Sequence, residues 1–241
     1  ANAPVQAVGA TQTFTEACEG GGTLTVVDND ANGNQQADPG DSASLTANNC
    51  AFGGEVLNGQ LSITLNSVSG NLDSYPYTLS GTINFQKLTA QSTTARIVAN
   101  GSMTLNVSAR SDFDQTIALA IASFAITSTY GGVTSSQTLT NYNSSLKVSL
   151  AGSVTNWTSS VKGTMTSSAF DSKSVSIDTP VAFVRSGNQA YPARGEAIII
   201  GAAGAKVRVT ATSVTNVTID LDADGNGSYE TTVNKRWSEI L

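Results

Sequence analysis

Two short windows of this chain space their oxygen-bearing side chains as a hard divalent cation requires. In the first, oxygens recur at Asp30, Asn32, Asn34, Gln36, Asp38 and Asp41. Counted from Asp30, these are positions 1, 3, 5, 7, 9 and 12 of a twelve-residue calcium loop, in which position 7 contributes its backbone carbonyl. The second window reads Asp222-x-Asp224-x-Asn226-Gly227-x-x-Glu230, with glycine at position 6 and a carboxylate at position 9. Asp220 stands one strand repeat before Asp222 and is expected as an outer ligand. Oxygen donors without sulfur or imidazole select Ca²⁺ over transition metals. Without a cation, the clustered carboxylates would repel one another.

The first window departs from an EF-hand-type loop at two places. Gln35 occupies the position of the sharp-turn glycine, and Asp41 replaces the usual bidentate glutamate. Helix-forming flanks are also missing, so both windows read as connections between strands. A solvated turn built from Asp, Asn and Gly is the competing reading, because these residues are good turn formers.

Charge is concentrated in these same windows. Only 12% of the 241 residues are charged, and the net charge is −6. Asp28, Asp30, Asp38, Asp41, Asp220, Asp222, Asp224 and Glu230 are 8 of the 18 acidic residues. The rest of the chain holds slightly more bases than acids, so the whole acidic excess lies in two loops. A nearly neutral remainder offers nucleic acid no basic footprint. Cys18 and Cys50 flank the first window. In an exported chain this even pair is expected to form a disulfide that holds both ends of the loop, stabilising the fold by roughly 3 to 4 kcal/mol. Two thiols without histidine make a poor zinc site. Ala-Asn-Ala-Pro at the start reads like a mature terminus left after signal-peptide removal. No uncharged apolar run is long enough to cross a bilayer as a helix, Ile117–Ile126 being about half the length required.

The elements that must position these windows are strands. Apolar and polar residues alternate in Leu61-Ser62-Ile63-Thr64-Leu65, Lys147-Val148-Ser149-Leu150, Lys206-Val207-Arg208-Val209 and Val217-Thr218-Ile219-Asp220-Leu221. Period two means a half-buried strand with one wet face. Asn58-Gly59 and Asn100-Gly101 are expected as tight hairpin turns. A loose unit, glycine followed by an alternating strand, starts at Gly59, Gly81 and Gly101, with weaker echoes at Gly152 and Gly163. Ile117–Ile126 reads as a strand buried on both faces with a phase shift at Ser123-Phe124, a helix being the alternative. These features predict an all-β fold: a large antiparallel meander of about fourteen strands, forming a sandwich or an incompletely closed barrel. Residues 1–14 are expected as an extended, exchangeable segment, and residues 15–241 as a single β-rich domain.

The chain has no histidine, which excludes imidazole-based triads and histidine metal centres. Phosphate loops, dinucleotide fingerprints and haem-attachment motifs do not occur. Carboxylate pairs could serve a glycosidase, but here they cluster as metal ligands with few aromatics nearby, so an enzyme is not expected. Trp157 and Trp237 are expected as packing residues.

The run from Cys18 through Gly40-Asp41-Ser42, Asn48-Asn49-Cys50 and Leu57-Asn58-Gly59, with Tyr191-Pro192 and Asp222-Ala223-Asp224-Gly225-Asn226-Gly227, resembles uncharacterised exported β-rich, lipoprotein-like proteins of proteobacteria. That resemblance implies a secreted or cell-surface location and carries no assigned activity. Unlike a lipoprotein, this chain has no cysteine at its start. The expectation is therefore an extracellular structural protein, a calcium-stabilised subunit self-assembling into a homo-oligomer or filament by β-strand addition. The alternative is a soluble carrier holding an apolar ligand in an open barrel.

Overall fold

The computed structural model describes residues 9–240. Fourteen strands follow one another in chain order: β1 (Ala10–Ala17), β2 (Thr23–Asp30), β3 (Ser42–Phe52), β4 (Glu55–Ser69), β5 (Tyr77–Gln91), β6 (Ala95–Ser111), β7 (Asp114–Tyr130), β8 (Val133–Ala151), β9 (Val154–Ser167), β10 (Lys173–Ser186), β11 (Arg194–Ile200), β12 (Lys206–Ala211), β13 (Asn216–Asp222) and β14 (Thr231–Arg236). Each lies beside its sequence neighbours in a single antiparallel meander, with β1 and β14 at the two ends of the order. The all-β expectation holds, and the sheet is open. Short 3₁₀ turns at Ser168–Phe170, Ala202–Gly204 and Trp237–Glu239 are the helical elements among the described residues.

By backbone contacts the chain divides into two compact units. The first comprises residues up to Asn106 together with Phe124–Ser136, and the second Val107–Ser123 together with the chain from Gln137 onward. The boundaries fall inside β6, β7 and β8, and no linker separates the units.

In the first unit, directly opposed residues form the row Phe14, Val26, Leu45, Leu61 and Phe85 across β1 to β5. One position along, the row Thr13, Val27, Ser44, Ser62 and Asn84 occupies the opposite, mostly polar face. Alternation at period two thus separates an apolar from a polar side. Phe124 closes edge-on against Phe85, with ring centroids 5.1 Å apart. In the second unit the equivalent row is Ala197, Val209, Ile219 and Val233. Beside it lies a small core of Ala211, Val217 and Trp237, packed by Phe183 and Tyr191. Trp237 is therefore a packing residue, as expected. Trp157 instead carries the Arg185 guanidinium 4.5 Å above its ring.

Three sequence expectations are corrected here. Asn58-Gly59 and Asn100-Gly101 are not hairpin turns, since they lie inside β4 and β6. Gly59 takes φ +99° where the β4–β5 register slips by one residue. A side chain there would collide with the backbone oxygen of Lys87, 2.4 Å from the ideal Cβ position. The glycine-then-strand unit is thus a β-bulge at this position, which bends a long strand without ending it. The asparagines brace the irregularities: the Asn58 side chain accepts from Asn49 N–H, and that of Asn100 from Lys87 N–H. Asn49 and Lys87 are themselves left-handed, with φ +49° and +48°. The second correction concerns Ile117–Ile126, which is a strand but not buried on both faces. Ile117 and Ile126 are 37% and 39% exposed, while Ile121 is buried. The third concerns the amino-terminal segment. Ala10–Phe14 pair within the chain, opposite Val26–Asp30 of β2. Only residues 1–8 remain of the exchangeable segment, and they lie outside the described residues.

Cys18 and Cys50 form the expected disulfide, with Cα atoms 5.3 Å apart. Its position differs from expectation. It ties the β1–β2 turn to β3, reinforced by Gly20 N–H to Ala51 O and Ala51 N–H to Gly21 O. The β2–β3 loop lies at the other end of the eight-residue β2, about 25 Å away at 3.3 Å per residue. The bridge does not hold the acidic loop.

Candidate metal centres

The second acidic window is the loop between β13 and β14. Asp222 ends β13 with no exposed surface. Its Oδ1 accepts from Gly225 N–H at 2.7 Å and its Oδ2 from Gly227 N–H at 2.9 Å. Asp224 accepts from Asn226 N–H, Asn226 Oδ1 from Ser228 N–H, and Glu230 Oε2 reaches back to Ala223 N–H. In the loop's own numbering, side chain 1 binds N–H groups 4 and 6, side chain 3 binds 5, side chain 5 binds 7, and the closing carboxylate binds 2. This wrapping turns carboxylate oxygens of Asp222, Asp224 and Glu230 inward, within 4.8 Å of one another. Calcium bonds its oxygen ligands at 2.3–2.6 Å, so opposed ligands sit about 4.6 to 5.2 Å apart. The separation and the hard-oxygen donor set both suit that ion. A carboxylate oxygen accepting one N–H keeps a lone pair for a metal.

The loop is fixed from below. Gly225 packs against the Ala202–Gly204 turn, where a Cβ would lie 2.7 Å from Ala203 O. Lys206 Nζ is 3.9 Å from Asp222. Arg208 lies 4.3 Å from the Tyr229 ring centroid and pairs with Asp220 at 2.9 Å. The alternation of β12 marked Lys206 and Arg208 as one strand face but gave no sign of their task, which is set by register against Asp222 and Asp220.

Asp220, expected as an outer ligand, lies outside the gathered trio of Asp222, Asp224 and Glu230. Its Oδ1 accepts the Thr232 hydroxyl at 2.6 Å, and Arg208 takes its Oδ2. The Thr232 hydrogen bond, followed by Arg208, holds its carboxyl below the usual aspartate range against the opposing effect of burial. It is an internal ion pair beneath the loop.

The first window joins β2 to β3 and shows the same hydrogen bonding. Asp30 Oδ1 accepts from Gly33 N–H at 2.6 Å and Oδ2 from Gln35 N–H at 2.7 Å, positions 4 and 6. Asn32 accepts from Asn34 N–H and Asn34 from Gln36 N–H. The closing carboxylate, Asp41, binds Ala31 N–H at position 2 and also Asp38 N–H. Gln35 adopts φ +62° where Gly227 has +93°, and Gly33 and Gly225 match at +74° and +75°. The missing glycine therefore alters the residue at position 6 while leaving the turn unchanged. Donation from Gln35 N–H is the largest cause of an Asp30 carboxyl held below its usual range; burial opposes it, and Gly33, Asn32 and Asn34 add to it.

The two loops differ in how their acids converge. In the first, the side-chain amides of Asn32 and Asn34 donate to Asp38 Oδ2 at 2.8 and 2.6 Å. Among the described residues, only Asp222, Asp224 and Glu230 form a gathered acidic trio. Asp30, Asp38 and Asp41 stay further apart. The first loop is pinned to β4 by Gly40 N–H to Leu65 O and Leu65 N–H to Asp41 O. It overhangs a hollow of about 510 Å³ floored by Ala43, Ile63 and Leu65. No family model, curated protein or solved structure matches this chain.

Proposed function

We propose that this chain is an exported structural subunit whose two acidic loops bind calcium and whose copies join by β-strand addition into a filament or matrix. The observation that carries this reading is the open meander, whose two edges are unpaired among the described residues. β1 and β14 each have one neighbour, and every residue of both strands is exposed. Such edges are templates for another chain, and natural proteins usually cover or blunt them. The disulfide is compatible with an oxidising compartment. Low charge outside the loops leaves little repulsion between copies, and calcium would stiffen two hairpin ends against fraying. No described helix is long and apolar enough to cross a membrane.

Sedimentation and electron microscopy of the full chain at high concentration with calcium test this reading. Growing assemblies are expected, and a chain that stays monomeric would overturn it. Calcium should also raise the unfolding temperature, adding about 2.7 kcal/mol per occupied site at one hundred times its dissociation constant. An unchanged melting curve with chelator would remove the metal half. The carrier reading draws on one observation, the hollow under the first loop. A fluorescent apolar probe, bound there and displaced by fatty acid while the chain remains monomeric, would favour it.

A further inference from the structure

We propose that the contact between copies is made by β14 of one chain and β1 of the next, paired antiparallel with Phe14 opposite Val233. The proposal rests on the strand-addition reading and specifies its two surfaces. Both edges interrupt an apolar row. In the first unit the row from Phe85 through Leu61, Leu45 and Val26 ends on Phe14, 58% exposed. In the second, the row from Ala197 through Val209 and Ile219 ends on Val233, 40% exposed. On the edge side neither row has a next member within its own sheet order. Placing Phe14 opposite Val233 supplies each with the other, at the 4.5–5.5 Å Cβ separation of directly opposed residues.

Direction and polarity agree with that register. The neighbouring pairs at both ends of the order, β1 with β2 and β13 with β14, are antiparallel, and the proposed contact continues that arrangement by setting β1 of the next copy antiparallel to β14. Neither strand contains proline, so no edge donor is missing. The register sets Thr13 opposite Asn234, Thr15 opposite Thr232, Gln12 opposite Lys235 and Thr11 opposite Arg236, with no like charges facing. β1 carries Glu16, whereas β14 carries Lys235 and Arg236, with Glu239 4.0 Å from Lys235 offsetting one charge. Pairing β14 with its own copy would gather two lysines and two arginines. The basic residues therefore disfavour self-pairing of β14, whereas β1 sets only the uncharged Gln12 and Thr11 against Lys235 and Arg236 and adds its one charge, Glu16, opposite Thr231. A contact between two different edges leaves each copy with one edge free for the next, and repetition yields a filament where the rotation between copies does not close a ring.

The test uses the full chain carrying Thr13→Cys and Asn234→Cys, assembled with calcium and mildly oxidised. The expected result is a reducible ladder of dimers, trimers and higher species on a denaturing gel. An equimolar mixture of the two single variants should add only a heterodimer, and Glu16→Cys with Asn234→Cys, out of register and on opposite faces, should give no ladder. Val233→Lys should raise the concentration needed for assembly at least tenfold without changing the circular dichroism of the monomer. Sedimenting assemblies without the Thr13–Asn234 ladder would overturn this contact and leave strand addition to other surfaces. Absence of any assembly in the parent chain would overturn both this contact and the filament reading.

Discussion

The β2–β3 loop and the β13–β14 loop share one hydrogen-bond pattern in opposite surroundings. In both, the first aspartate binds backbone N–H groups 4 and 6, and the side chains at 3 and 5 bind N–H groups 5 and 7. In the second loop that pattern stands on a buried Asp222, over Lys206 and Arg208, and closes after nine residues at Glu230. In the first it stands on partly exposed Asp30, closes after twelve at Asp41, and directs two asparagine amides at Asp38. A shared backbone pattern therefore does not by itself bring the acids together. Burial of the first aspartate and a short span to the last carboxylate accompany convergence, while both loops set asparagine amides on a carboxylate, Asn226 on Asp224 in the shorter and Asn32 and Asn34 on Asp38 in the longer.

The disulfide gives the largest expected effect and tests whether the first loop depends on its hairpin as a whole. Cys18–Cys50 closes a segment with a sequence separation of 32, so its loss should cost about 3 to 4 kcal/mol on the chain-entropy model. Because the bridge sits at the far end of β2, calcium affinity at either loop should change less than twofold. Denaturant melts and calorimetric calcium titrations, with and without reductant, separate the two. A tenfold loss of affinity on reduction would show that the hairpin transmits strain along its length.

Next in size is removal of each first aspartate. Asp222→Ala leaves the N–H groups of Gly225 and Gly227 without acceptors beneath a buried site and strips Lys206 of its nearby carboxylate. A loss of about 3 kcal/mol is expected. Asp30→Ala removes the same two bonds at an accessible position, where water can replace them, and should cost clearly less. Equal urea midpoints for the two variants would mean that burial is not what distinguishes the loops.

Acid should weaken both regions in the same direction. Asp30 and Asp220 are held below the usual aspartate value, about 3.9 in model peptides. A lowered folded-state pKa contributes stability that is complete above the unfolded value and disappears as pH falls through the folded one. Stability should therefore hold from pH 7 to about 5 and decline below about 4. Arg208 is shifted upward from an already high value, so its proton stays bound throughout this range. Asp220→Asn should flatten part of the decline in urea midpoints measured between pH 5 and 3, by less than the Asp222→Ala loss. An unaltered acid profile would remove Asp220 from the account.

Much of this was legible in the residues themselves. Alternation such as Leu61-Ser62-Ile63-Thr64-Leu65 marks a strand because period two leaves no other way to bury one side. The ligand spacing from Asp30 and Asp222 likewise maps onto the observed turns. What sequence could not supply was long-range register. Asn58-Gly59 has the composition of a turn, and only Lys87 on the neighbouring strand makes it a bulge. Nothing in the spacing of Asp220 announces that Arg208 and Thr232 stand opposite it and take both its oxygens. The bridge from Cys18 to Cys50 looked like a clamp on the acidic loop because distance along the chain hides the length of β2 between them.

The smallest effect concerns position 6, where the loops differ by one residue in one conformation. Gln35 holds φ +62° to present its N–H to Asp30 Oδ2 at 2.7 Å. For a residue with a Cβ, that left-handed conformation costs about 1 to 2 kcal/mol. Glycine removes the cost but enlarges the unfolded ensemble by about 0.4 to 1 kcal/mol. Gln35→Gly should therefore stabilise the chain by about 0.5 kcal/mol, raising the melting temperature by roughly 1 to 2 °C. If calcium selects the same turn, affinity at the first loop should rise about twofold. The reverse exchange, Gly227→Gln, meets no neighbouring atom within 4 Å of the new Cβ. Its cost should thus be conformational alone, about 1 kcal/mol and opposite in sign. Differential scanning calorimetry of the two variants reads both signs. Were Gln35→Gly to destabilise the chain, the Gln35 side chain would be holding the first loop in place, and the two loops would differ in mechanism as well as in surroundings.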